Sequence, residues 1–212
     1  MRLKNYEMTS LGPAQIAVVN MVSRGTKILE VGCAAGYMTR YLAQELSCKV
    51  TVVELNAEQA EQASQYAERV IIGDICDPVI RNQIPQSFDH IIYADVLEHL
   101  VDPWEVLSWT KSLLSDTGTV IASIPNVAYY KIRKSLLLGR FDYTDYGILD
   151  NTHLRFFTER TCKELFQSSG YKIGKTVNIY RGKTDKRLCW LAPNAFTYQF
   201  VVSASLLREI AK

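Results

Sequence analysis

KILEVGCAAGYMTRYLA, residues 27–43, opens as a short apolar run that stops at Gly32. From Gly36 onward Met38, Tyr41, Leu42 and Leu46 recur at helical spacing, so the stretch reads as strand, glycine turn, helix.

The same unit repeats on either side of this stretch. Residues 49–54 form a second apolar run, and Asn56-Ala57-Glu58-Gln59 is a capping pattern opening a helix with Ala57, Ala60 and Ala63 on one face. Residues 69–72 and 88–94 are further strand candidates. Asp102-Pro103-Trp104-Glu105 then combines an N-cap, a first-turn proline and a capping glutamate, predicting a helix to about Leu114. Residues 119–124 give a fifth strand stopped by Pro125. Residues 158–169 give a helix with Cys162, Leu165 and Phe166 as its apolar face and Gly170 as its stop. Two strands, 171–180 and 195–203, follow with only a loop, 181–194, between them, and an early helix is expected over 13–22. Alternating strands and helices imply right-handed crossovers, hence a doubly wound, mostly parallel seven-stranded α/β sheet with an antiparallel edge strand.

Composition bounds the function. The 212 residues, 48% hydrophobic, suit one domain with a full core. The 24 basic and 22 acidic side chains nearly cancel and form no long block, so no nucleic-acid partner is expected. No apolar stretch approaches the roughly 20 residues of a membrane span, and residues 1–10 lack the apolar core of a secretory signal, which makes the cytoplasm the expected compartment. Five cysteines without a C-x-x-C pair suggest neither a disulfide framework nor a zinc site, and no metal ligands are read from the sequence. Oligomeric state is left open.

Ligands of open parallel sheets bind beyond the carboxyl ends of the strands. Glu30-Val31-Gly32-Cys33-Ala34-Ala35-Gly36 lies at such a place, where small residues let the backbone approach a ligand at a helix N-terminus. Ala34 at the second glycine position of a G-x-G-x-x-G pattern, with no glycine at 37, argues against a nicotinamide-dependent oxidoreductase; Ala34 is expected to keep φ negative. Glu54 ends the second strand where a carboxylate can accept from both hydroxyls of a ribose, with Leu55 beside it. Asp74 and Ile75 follow the third strand, as an acceptor for an adenine amine and an aliphatic flank, or as a simple turn. Asp95-Val96-Leu97-Glu98-His99 closes the fourth strand, with His99 as a candidate base.

Together these segments resemble class I S-adenosylmethionine-dependent methyltransferases: KILEVGCAAGYMTRYLA is similar to that family's first motif, and FDHIIYADVLEHLVDPWEVL to its fourth-strand motif. The resemblance implies S-adenosylmethionine as cofactor and S-adenosylhomocysteine as product. Gly32 and Gly36 would border the methionine end, Glu54 the ribose, Asp74 and Ile75 the adenine, and Asp95 and His99 the sulfonium.

Residues 126–157 are longer than an ordinary crossover and read as a cover over the acceptor, mobile without ligand. Tyr129, Tyr130, Phe141, Tyr143, Tyr146, Phe156 and Phe157 are interleaved there with Asp142, Asp145, Asp150, His153 and Arg155. Aromatics among fixed polar groups suit a sugar or ring substrate, and Asn126, Tyr143, Tyr146, Asp150 and Arg155 are the expected contacts. GRFDYTDYGILDNTHLRFFT, residues 139–158, resembles bacterial methyltransferases of surface-polysaccharide assembly, often grouped with ubiquinone-type methylases. The leading expectation is therefore O-methylation of a glycan or small-molecule hydroxyl; a quinol-type acceptor and a cofactor-binding subunit without catalysis are the alternatives. His153 is favoured as the base, with His99 or Asp95 in reserve.

Overall fold

A computed structural model describes residues 11–207; the reading of residues 1–10 lies outside them. The elements run α1 (Pro13–Val19), β1 (Lys27–Val31), α2 (Tyr37–Gln44), β2 (Lys49–Glu54), α3 (Ala57–Ala63), β3 (Arg69–Ile72), α4 (Pro78–Arg81), β4 (Phe88–Ala94), α5 (Pro103–Thr110), β5 (Leu114–Pro125), α6 (Tyr130–Leu137), α7 (Glu159–Ser168), β6 (Tyr171–Ile179), α8 (Lys183–Leu188), α9 (Pro193–Phe196) and β7 (Gln199–Leu206).

The seven strands pair in the order β3-β2-β1-β4-β5-β7-β6. All neighbours are parallel except β7, which runs antiparallel to both β5 and β6. The antiparallel strand therefore sits one in from the edge, slotted between the two strands that precede it in sequence. Both faces of the sheet are covered, which is why its strands are apolar runs and not alternating ones. Ile28, Val50, Val52, Ile92 and Ile121 pack with Val18, Tyr41 and Leu42 of α1 and α2. Leu29, Val31, Val53, Ile91 and Tyr93 face Val106, Leu107, Leu165 and Phe166 of α5 and α7.

Chain order reverses at β1, with β2 to one side and β4 to the other. Loops beyond the carboxyl ends of β1 and β4 therefore diverge and leave a crevice.

Several boundaries differ from the sequence reading, each for a local reason. The expected loop 181–194 contains α8 and the start of α9. Pro193 opens α9, so Ala195 and Phe196 are helical and β7 begins only at Gln199. β5 starts five residues early, at Leu114, because an irregularity near Phe88 lets the strand pair before Gly118; a Cβ at Gly118 would stand 2.7 Å from the Phe88 carbonyl oxygen. The early helix stops at Val19. α5 gives way after Thr110 to a single 3-10 turn, Lys111–Leu113.

Candidate active site

The turn after β1 is left-handed three times, with φ of +70° at Gly32, +48° at Ala34 and +79° at Gly36. The Ala34 value corrects the expectation of a negative φ. An alanine in this region costs roughly 1–2 kcal/mol, and Glu54 opposes that cost: its Oε2 accepts from the Ala34 N–H at 2.9 Å while Oε1 accepts from the Asn56 N–H at 3.0 Å. A carboxylate has about four lone-pair sites, so Glu54 braces the turn and still has capacity for two ribose hydroxyls.

Below it opens a cavity of about 300 Å³ lined by Gly32, Glu54, Leu55, Gly73, Asp74, Ile75, Val96 and His99, among others. A Cβ on Gly32 would reach 2.7 Å from a Val96 methyl, so only glycine keeps the cradle open there. Asp74 lines the cavity and also accepts from the Cys76 N–H at 2.8 Å, so the ligand and turn readings coexist in one side chain. An aliphatic slot with one carboxylate placed for a ribose and one for an adenine amine fits the nucleoside half of S-adenosylmethionine.

Three further residues of the expected cofactor set lie outside this cavity's walls. Glu30 is fully buried and accepts from the Thr39 hydroxyl at 2.7 Å; burial pushes its carboxyl up to about 8. Cys33 is buried with its thiol toward the Ala34 carbonyl, and burial pushes it up to about 12. Gly36 is the N-cap of α2 and packs on α3, where a Cβ would lie 2.8 Å from the Ala63 Cα. Helix packing and the positive φ are enough to require glycine there.

Beyond β4, Asp95 adopts φ +57°, a strained position for a non-glycine residue. Its carboxylate accepts from the Ser123 hydroxyl at 3.1 Å and from the Gln199 amide, and its N–H donates to Ser123. A 3-10 turn, Leu97–His99, follows. There Glu98 is 1% exposed, and neither carboxylate oxygen has a partner on another described residue. Burial first, then repulsion from Asp95, raises its pKa well above the carboxylate range.

The two expected histidines meet: the rings of His99 and His153 lie 4.7 Å apart, edge to face. His153 Nδ1 is 3.1 Å from the Ile148 carbonyl, which can only accept, so Nδ1 carries the proton and the Nε2 lone pair is left over. His99 Nδ1 faces both the carbonyl and the hydroxyl of Thr152, at 3.3 and 3.2 Å. That hydroxyl's own proton goes to Asp150, 2.6 Å away, so His99 Nδ1 donates as well and its Nε2 is also free. Burial pulls the His153 pKa down, keeping the ring neutral at neutral pH. Asp95, Glu98, His99, Asp150, His153, Tyr198 and Gln199 line a second cavity of about 280 Å³. One ligand atom from each of Glu98, His99 and His153 falls within 4.8 Å of the others, a metal-compatible grouping that the sequence reading did not anticipate.

Residues 126–157 close on themselves at the base, where the Val127 N–H meets the Phe157 carbonyl at 2.9 Å. Tyr129, Ile148 and Leu149 form a small core of their own. A third cavity of about 610 Å³ lies against this segment, with Tyr129, Lys131, Asp142, Tyr143, Tyr146, Arg181 and Tyr198 in its wall. Of the residues expected to contact an acceptor, Tyr143 and Tyr146 are placed in this wall, and Asp150 lies at the histidines.

Asn126 and Arg155 are not. Asn126 is wholly buried, donating to the Asn194 and Thr197 carbonyls and accepting from the Ala128 N–H, so its hydrogen-bonding capacity is spent on structure. Arg155 bonds the Val101 carbonyl and lies over the Trp104 ring at 5.7 Å, pinning the segment's far end to the loop before α5. Sequence reasoning missed Glu98, Arg181, Tyr198 and Gln199. Glu98 adjoins a named candidate; the others arrive from the β6–β7 connection, and no local motif marks them.

The family profile described as a methyltransferase domain matches residues 16–175. A ubiquinone biosynthesis O-methyltransferase of Psychrobacter arcticus is 24% identical over 189 residues, covering 80% of this chain and 68% of that protein. Its counterpart in Actinobacillus pleuropneumoniae is 28% identical over 110 residues, so the chain spans about half the length of that relative (47%). Among solved structures, a Mesorhizobium loti S-adenosylmethionine-dependent methyltransferase aligns with a TM-score of 0.65 at 19% identity, covering 91% of this chain and 98% of the other. The Burkholderia thailandensis 1,6-didemethyltoxoflavin N1-methyltransferase, solved with S-adenosylhomocysteine, aligns with a TM-score of 0.64 at 18% identity, covering 97% and 80%. By its family profile the chain belongs to the methyltransferase-domain family, and it shares its fold with those structures.

Proposed function

We propose that the chain methylates a hydroxyl of a small ring-shaped acceptor, a sugar of surface-glycan assembly, seated between the histidine pair and the cover formed by residues 126–157. The observation that carries this reading is the juxtaposition of two free imidazole Nε2 lone pairs with a cavity walled by tyrosines and fixed charges. Bound S-adenosylmethionine supplies an electrophilic methyl group on a sulfonium. Glu54 takes the ribose hydroxyls, Asp74 and Ile75 the adenine, and Asp95 stands near the reacting centre. His153, neutral at working pH, withdraws the acceptor's hydroxyl proton, and the cover excludes water.

A phenolic, quinol-type acceptor is the second reading, favoured by the ubiquinone O-methyltransferase relatives. Methyl transfer assayed against nucleotide sugars, lipid-linked glycans and quinol precursors decides: turnover on a sugar class supports the first reading, turnover confined to catechols and quinols replaces it. Transfer to none of them, with S-adenosylhomocysteine bound, would leave a binding subunit.

A further inference from the structure

Glu98 poses a problem that methyl transfer alone does not solve. A carboxyl group 1% exposed, with both oxygens unpartnered by any other described residue, is unfavourable, since a buried polar group without a hydrogen-bond partner has lost its water and gained nothing in return. Yet it is packed tightly in place. Its own backbone carbonyl accepts from the N–H groups of Leu154 and Arg155, both at 2.9 Å, which fixes the 3-10 turn against the segment carrying His153.

The histidines show the complementary arrangement. Each ring is oriented by an Nδ1–H donated to a backbone carbonyl, the outer-shell device that fixes tautomer and direction in histidines bound to metals. Two oriented imidazoles and an orphaned carboxyl group, with ligand atoms within 4.8 Å of one another, need only a cation to satisfy all three. Ligands about 2.1 Å from one ion stand roughly 3–4 Å apart, so closure needs side-chain shifts of about 1 Å.

We propose that Glu98, His99 and His153 hold one divalent first-row cation, whose open coordination positions face the 280 Å³ cavity shared with Asp95 and Asp150. Two nitrogens and one carboxylate oxygen suit zinc or manganese better than calcium or magnesium, which prefer all-oxygen sets. The inference rests on the O-methylation reading and changes one role in it: with the cation bound, His153 is a ligand and no longer the base, the cation would bind the acceptor's hydroxyl oxygen and lower its pKa, and the released proton would pass to water. The C–O bond then forms as the methyl–sulfur bond breaks, its electron pair staying on sulfur.

The site is tested by calorimetric titration of chelator-stripped protein with manganese chloride and with zinc chloride, with and without S-adenosylhomocysteine. Wild type is expected to bind one cation per chain, and Glu98→Gln and His153→Gln to lose at least tenfold in affinity while S-adenosylhomocysteine affinity changes less than twofold. Glu98→Gln keeps the shape and exchanges one unpartnered buried polar group for another, so the metal-free variant should melt close to wild type and should lose the cation-induced rise in Tm. His99→Gln, at a partly exposed position, provides a third variant should either of the others fold poorly. No saturable binding by wild type, or binding unchanged in all three variants, overturns the site. Failure of S-adenosylhomocysteine to bind while manganese binds would sink the methyl-transfer reading and leave the cation site standing.

Discussion

The crevice has two halves built on different principles. The cofactor half, from Gly32 to Ile75, is made by backbone geometry: left-handed turns, strand ends and one carboxylate that braces an amide and faces a cavity. The half proposed for the acceptor is made by contacts over long sequence distances, Asp95 with Gln199 and Tyr129 with Asp185 through side chains, and the Glu98 carbonyl with the N–H groups of 154 and 155. A ligand held by backbone and strand ends can be read from local motifs. One held by a network of distant side chains can be retuned without disturbing the first half.

The sharpest way to break this comparison is Glu54→Ala. It removes two charge-assisted hydrogen bonds within the protein and the acceptors for a ribose, with each such bond contributing about 1.5–3 kcal/mol. S-adenosylhomocysteine affinity should fall at least a hundredfold by calorimetry. A fall of less than fivefold would mean that the nucleoside lies elsewhere.

Next in size is a pH effect seated under the cofactor turn. Glu30 titrates near 8 when folded, because of burial, against about 4.5 when unfolded. The folded chain therefore holds the extra proton between those values, and the stabilisation is complete below about pH 4.5 and is lost as pH rises through 8. Wild type should lose roughly 3 kcal/mol between pH 6 and pH 9 from this group, and Glu30→Gln should flatten that part of the curve in urea unfolding. Equal slopes in the two proteins would show that water reaches the carboxylate.

Tyr129→Phe probes the other half. The Tyr129 hydroxyl donates to the buried Asp185 at 2.6 Å, tying the base of the cover to α8. Its loss leaves a buried carboxylate short of a partner, at about 1–2 kcal/mol. The acceptor KM should rise several-fold while cofactor affinity stays within twofold. Equal losses in both would mean that the halves are coupled.

What the sequence made legible follows the same division. The alternation of strands and helices, the glycine turn and the strand-end positions of Glu54, Asp74 and Ile75 were readable because period, turn chemistry and strand ends are local facts. The place of β7 was not, since its partners β5 and β6 are chosen by sheet closure, and α8 lay hidden in a polar, loop-like run. The positive φ of Ala34 was not readable, since the carboxylate that accepts from its N–H, Glu54, lies 20 residues away. Glu98 sat in plain view in the run DVLEHL, but burial without a partner is a property of packing, invisible in residue identity.

The smallest effect is the one that tests a misreading. Arg155, in a segment rich in aromatics and charges, looks like an acceptor contact. The structure instead places its guanidinium on the Val101 carbonyl and over Trp104, on an exposed part of the surface and outside the walls of the cavities described. An exposed arginine in such a stack contributes roughly 0.5–1 kcal/mol, so Arg155→Ala should lower Tm by a few degrees and leave the acceptor KM within twofold. Were Arg155 instead to reach the acceptor, truncation would raise KM tenfold or more with Tm nearly unchanged. The two outcomes move different observables. A steady-state assay on the acceptor that turns over, paired with one thermal scan, separates an anchor from a contact and shows how far the cover's charges serve its own folding.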